Sequence, residues 1–352
     1  MKFITPSVEI MRTGLEKEFM TPEQFIEKVG RTCYKSEDKI TEDSAAAFTV
    51  RFIKWGHESV LEHWNLIFKT EVLWYEQFID DYNMLIHNGN FNLPEQPKPF
   101  LRFTDQTVDG HSRCIISGNM RAWRDYTEAC INGFGFIPGY LYGVIKNYPL
   151  FFPEYKEWVP VNIVNNTLIP ITASDLVGRL EHDIHHTVTV RFTCDRGVTH
   201  EIVRHRTSSY AQESTRYCNY SQDKFGAGIT IAEPEFFRKA RAAGNQKIMD
   251  VCYRISEQSE QAYLELLDLG CTPQEARFAL ITGLKTELIM TATLGDWEHF
   301  FFLRDARDAH PDIRFVASAL NEMFKEQVYT EEVMKSICMV NDFAELDEVI
   351  DD

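Results

Sequence analysis

Several features are missing from this 352-residue sequence, and each absence excludes a class of function. Basic residues are scarce beside acidic ones, 36 Lys+Arg against 53 Asp+Glu, leaving a formal charge of −17 and a pI near 5.1. That balance excludes a protein that wraps nucleic acid, which needs a basic face. The eight cysteines occur singly, with no Cys-x-x-Cys pair, which removes a zinc ribbon or a dithiol redox motif. No apolar run reaches membrane-spanning length and no charged-then-apolar leader opens the chain, so a soluble, cytoplasmic protein is expected. No glycine-rich fingerprint follows a convincing strand, so any dinucleotide site here does not rest on a Rossmann turn. With 44% hydrophobic residues there is ample material for a core of one large domain or two ordinary ones.

What is present concentrates at 204–217, Arg-His-Arg-Thr-Ser-Ser-Tyr-Ala-Gln-Glu-Ser-Thr-Arg-Tyr. Val198–Val203 just before it reads as a short amphipathic helix with Val198 and Ile202 buried. If that helix ran on, Arg204 and Arg206 would point to nearly opposite sides, about 200° apart. Guanidinium groups stay charged and grip phosphates or carbonyls in bidentate fashion. Ser209, Ser214 and Arg216 add donors. In an acidic chain this cluster reads as a local pocket for a small anion, against the plainer reading of a solvated loop with incidental ion pairs.

Arg204-His205-Arg206, seven residues, then Ser214, with Arg216 and Tyr217 after it, resembles the hallmark of flavin-dependent thymidylate synthases. A second resemblance lies in Gly56-His57-Glu58-Ser59-Val60-Leu61-Glu62-His63. The resemblance implies a mixed α/β (α+β) subunit with a central sheet flanked by long helices, assembled as a homotetramer. It implies reductive methylation of dUMP to dTMP, with methylenetetrahydrofolate and NADPH as co-substrates and FAD as cofactor. It places Glu201, Arg204, Ser209, Gln212, Ser214, Arg216, Arg277 and Arg304 at the nucleotide, and His57, Ser59, Glu62, Arg204, His205, Arg206 and His299 at the flavin. Arg204, Ser214 and Arg304 would carry catalysis, Ser214 as a substrate contact rather than a nucleophile, and Tyr217 would stack near a ring.

Along the chain, helices are expected at 21–35 and 42–55, a strand at 65–70, and a second strand at 188–194. Further helices are expected at 234–243, 245–269, 296–305 and 311–340, with a strand near 286–292. Segments 1–71 and 187–340 are taken as the catalytic domain, 72–186 as an insertion and 341–352 as an acidic tail. Eight of the 13 prolines lie between Pro94 and Pro170, which suggests a loop-rich insertion with a few helices rather than a regular domain. Within it, Ile115–Tyr126 has the layout of Ile289–Phe300, with Trp123 on Trp297 and Tyr126 on Phe300. Relatives carry a flavin-contacting Asn-x-Arg at this turn. Here it is kept as Asn119 and Arg121 but replaced by Thr293 and Gly295 in the later copy, so Asn119 and Arg121 are candidates to take over those contacts.

His182, His185 and His186 beside Asp183 offer metal-type ligands, yet an extended chain would split His185 from His186, and no metal is expected. Asn165-Asn166-Thr167 matches a glycosylation sequon without the context to use it. Two other classes compete: a cysteine-nucleophile synthase using Cys194 or Cys218, and a non-catalytic nucleotide- or flavin-binding protein derived from the same family.

Overall fold

The computed structural model describes residues 1–16, 20–87, 101–155, 168–222 and 225–338. The tail from 341 and the 165–167 pattern lie outside these. The first half runs β1 (Lys2–Ile4), β2 (Ser7–Arg12), α1 (Pro22–Tyr34), α2 (Ser44–Lys54), a 3-10 turn (Glu58–His63), β3 (Asn65–Thr70) and α3 (Val72–His87). It continues with β4 (Leu101–Val108), β5 (His111–Asn119), α4 (Met120–Phe134), α5 (Tyr142–Asn147), β6 (Ile169–Ile171) and α6 (Gly178–His185). The second half holds β7 (Thr187–Asp195), α7 (Arg196–Ile202), β8 (Ser209–Gln212), β9 (Thr230–Ala232), α8 (Glu235–Ala242) and α9 (Gln246–Asp268). Last come α10 (Pro273–Ala276), β10 (Lys285–Thr293), α11 (Leu294–Arg304), α12 (Pro311–Gln327) and α13 (Glu331–Cys338). The fold class is mixed α/β, as expected.

Local chemistry explains the element ends. Thr21 caps α1 reciprocally with Gln24, and Pro22 occupies the first helical position, where its missing N–H costs nothing. β7 alternates Val188, Val190, Phe192 and Cys194 inward, all fully buried. They pack with Leu288, Met290 and Ala292 of β10 against Trp297, Phe300, Val316, Leu320 and Phe324 from α11 and α12. Burying each large side chain is worth about 1.5–3 kcal/mol, so this layer fixes α11 against the sheet.

Two four-stranded antiparallel sheets result, ordered β2-β7-β10-β8 and β4-β5-β3-β6, with a small parallel β1-β9 pair. Segment 72–186 holds its few expected helices, α3 to α6, but is more regular than its prolines suggest. That segment supplies a regular hairpin, β4 and β5, which pairs with β3 over six residue positions. The turn is Asp109-Gly110, both with positive φ (50° and 75°), the conformation a two-residue hairpin requires. Aromatics of the same segment, including Trp123, Tyr126, Tyr140, Phe151 and Phe152, fill a core under this sheet. β3, grouped by sequence with 1–71, therefore shares its sheet with 72–186.

Candidate active site

α7 begins on Asp195, whose Oδ1 accepts the N–H of Val198 at 2.9 Å, and ends at Ile202. The helix stops before Arg204, so the opposite-faces geometry does not arise. A turn takes over, pinned by the Tyr210 hydroxyl, which donates to the carbonyls of Ile202 (2.9 Å) and His205 (2.7 Å). Thr207 adds a bond to Asp296 at 2.7 Å. In this turn Arg204 and Arg206 are both exposed, while His205 between them is buried beneath the Phe300 ring at 5.0 Å.

Arg304, at the C-terminal end of α11, closes over that turn. Its Nε donates to His205 Nε2 at 3.1 Å, Nη1 to Glu201 Oε2 at 3.1 Å, and Nη2 to the Glu201 carbonyl at 3.1 Å. Burial, and then the nearby Arg304 charge, pushes His205 down to about 4. A neutral imidazole is what acceptance of an Arg N–H demands. His299 stands edge-on to His205 at 5.9 Å. Glu201, His205, His299 and Arg304 are thus brought together as one preorganised unit.

The hydroxyl and amide candidates of β8 face inward. Ser209 is buried opposite Thr291, and Gln212 donates to Thr199 (3.1 Å) and Thr286 (3.3 Å). Ser214 is half-buried: its N–H donates to the Cys33 carbonyl at 2.9 Å, and its Oγ accepts from the Arg216 N–H at 3.3 Å. Arg216 is exposed and lies over Tyr217, whose ring meets Tyr34 at 5.2 Å. Ring contacts then run from Tyr34 to the buried Phe52 (6.0 Å) and from Phe52 to His57 (5.8 Å), linking the two motifs.

At the far end of these ring contacts His57 and Ser59 are exposed. Glu62 is buried and holds Arg121 at 2.8 Å. Asn119 is buried as the N-cap of α4, accepting from the Ala122 N–H at 2.9 Å. Thr293 plays the same part for α11.

Arg277 stands apart from Arg304. With Arg196, His200, Thr215 and Phe278 it lines a cleft of about 410 Å³. Arg196 and His200 escaped the sequence reading. Their signal was the i, i+4 spacing on the α7 face away from Val198 and Ile202. The thiols of Cys194 and Cys218 are buried, and burial pushes Cys194 far above the ordinary thiol range, the opposite of an activated nucleophile. The three histidines before β7 are also buried. His182 Nδ1 and His186 Nδ1 lie 3.2 Å apart, His185 bonds Thr104 and Ser117, and no group fit to hold a metal occurs among the described residues. No helix among those residues is long and apolar enough to cross a membrane.

A family model described as "Thymidylate synthase complementing protein" matches residues 181–328. A flavin-dependent thymidylate synthase of Pyrococcus furiosus is 34% identical over 133 residues, covering 38% of this chain and 52% of that protein. The enzyme of the same name from Geobacter sulfurreducens is 30% identical over 132 residues, 37% of this chain and 52% of that protein. The chain spans about half the length of these curated relatives. The structure of a UMP/dUMP methylase from Streptomyces cacaoi bound with 5-Br UMP superposes with a TM-score of 0.34 at 22% identity, covering 40% of this chain and 69% of that one. Residues 181–328, which hold α7, β8, β10 and α11, are thus similar to the thymidylate synthase complementing protein family.

Proposed function

We propose that the chain is a flavin-dependent thymidylate synthase. It methylates dUMP reductively to dTMP with methylenetetrahydrofolate as one-carbon donor and NADPH as reductant, and it works as a cytoplasmic homotetramer. The observation that carries this is the Arg204-His205-Arg206 turn locked by Glu201 and Arg304. Arg204, Arg206 and Arg216 have no acidic partner among the described residues of a chain with a net charge of −17. Free guanidinium groups in such a setting fit ligands with phosphates, and both FAD and dUMP have them.

When bound, the flavin supplies hydride transfer; the side chains supply binding, orientation and charge. Arg204 and Arg206 grip anionic groups. Arg304 presents a fixed cation where negative charge grows on the pyrimidine, needing no reorganisation because Glu201 and His205 already hold it. His205 stays neutral and passes no proton to Arg304. Ser214 contacts the nucleotide through its hydroxyl rather than attacking it. His57, Ser59, Asn119 and Arg121 are assigned to the flavin.

The test is the visible spectrum of the purified protein. An oxidised-flavin band that bleaches under NADPH without oxygen supports the assignment. A colourless protein that also fails to take up added FAD refutes it.

A further inference from the structure

The two sheets are the same object twice. β4-β5-β3-β6 and β8-β10-β7-β2 have one connectivity, all antiparallel, and in both the second strand runs straight into a helix. Asn65 pairs with Asn119 as Thr187 pairs with Thr293. Asn119 and Thr293 then cap α4 and α11. The Met120 N–H donates to the Trp64 carbonyl at 2.9 Å, and the Leu294 N–H to the His186 carbonyl at 2.8 Å. After β2, Thr13 is capped by Glu16; after β6, Thr172 is capped by Asp175.

The units also exchange parts. β2, leading into the first unit, adds to β7 of the second; β6, leading into the second, adds to β3 of the first. His63 of the first unit bonds Thr291 of the second at 2.8 Å, and His185 of the second bonds Ser117 of the first at 2.7 Å. Thr291 and Ser117 are themselves equivalent, two residues before the caps. Such reciprocity is the signature of a two-fold arrangement, here within one chain.

A two-fold creates two equivalent junctions, and they differ. At the first, where Glu58–His63 and α4 meet β8, Arg121 pairs with Glu62 (2.8 Å) and Asp125 (3.6 Å) yet leaves 39% of its side chain exposed, and His57 and Ser59 are exposed as well. At the second, where α6 and α11 meet β4, Gly295 replaces Arg121. A Cβ there would lie 3.1 Å from the Asp183 carbonyl, so α6 packs directly on the spot. Glu181, fully buried, is saturated by Arg113 (2.7 Å), Gln106 (2.7 Å) and the Val177 N–H (2.8 Å). Arg179 spans Asp183 and Glu298, and α13 covers α6 through Ser336.

We propose that the chain is two copies of one unit fused head to tail with exchanged edge strands, and that only the junction bearing Arg121 is a ligand site, its equivalent being sealed. The ligand, an anionic aromatic dinucleotide, is assigned on the flavin reading above. Segment 72–186 is then largely the second half of the first unit.

The experiment is calorimetric titration of the full-length apoprotein with FAD, together with hydrogen exchange of the ligand-free protein. Expected are one equivalent of FAD per chain, about tenfold or more weaker binding in Arg121→Gln, and unchanged binding in Arg179→Ala. Amides of 57–63 should exchange faster than those of 178–185. Two equivalents per chain, equal sensitivity to both substitutions, or equal protection of both segments overturns this inference and leaves the flavin reading standing. No FAD binding by the wild-type chain overturns the flavin reading and the ligand site together.

Discussion

Glu201 holds Arg304 twice, by its carboxylate at 3.1 Å and by its own carbonyl at 3.1 Å, so that one residue of α7 sets the position of the cation that ends α11. Arg304→Ala should lower turnover by about a hundredfold, the scale of losing one preorganised donor, about 3 kcal/mol. Glu201→Gln keeps the carbonyl contact and should cost less. Steady-state rates at saturating substrate decide; near wild-type turnover in Arg304→Ala removes it from the mechanism.

Arg204 and Arg206 are exposed and make no ion pair among the described residues, so their removal should leave the fold intact. Arg204→Ala and Arg206→Ala should each cost about 2–4 kcal/mol in transition-state stabilisation. Unchanged thermal denaturation beside lost activity is the expected pair of results. A matching loss of stability would make these arginines structural.

Ser214 contributes a contact, not a nucleophile. Ser214→Ala should raise the dUMP concentration needed for half-maximal rate and still form dTMP. Complete inactivity at unchanged dUMP affinity, or a covalent adduct on Ser214, would reverse its role.

Burial holds His63, His182 and His186 down at about 4 and His185 at about 3. These groups are neutral in the folded protein but titrate near 6.5 once unfolded. Because the folded values are depressed, stability is full above about pH 6.5 and falls as pH drops toward the folded values, by up to about 1.4 kcal/mol per pH unit for each histidine. Urea midpoints should therefore fall between pH 7 and pH 5, and His185→Gln should flatten that slope. A flat profile in the wild-type protein would mean these rings are charged or solvated.

Much of the fold was legible because its signals are local. The Thr21–Gln24 capping box, the alternation of β7 and the Arg-His-Arg turn all declare themselves within a few residues. The matched layouts of Ile115–Tyr126 and Ile289–Phe300 reappear as equivalent strand-to-helix joins. The β4–β5 hairpin went unread because the prolines on either side of it outweighed Asp109-Gly110, the dipeptide that marks its turn. The bonds from His63 to Thr291 and from Arg304 to His205 join residues 228 and 99 positions apart. No periodicity carries such information; the first bond comes from how the two sheets dock and the second from how α11 packs over the turn that follows α7.

The most direct test is product formation by the purified full-length protein given dUMP, methylenetetrahydrofolate and NADPH, followed by release of tritium from dUMP labelled at ring position 5. The account predicts dTMP and released tritium, both requiring NADPH and bound FAD, and both lost in Arg204→Ala. Tritium release that proceeds without flavin or NADPH, or the absence of dTMP from a flavin-loaded protein, would contradict it.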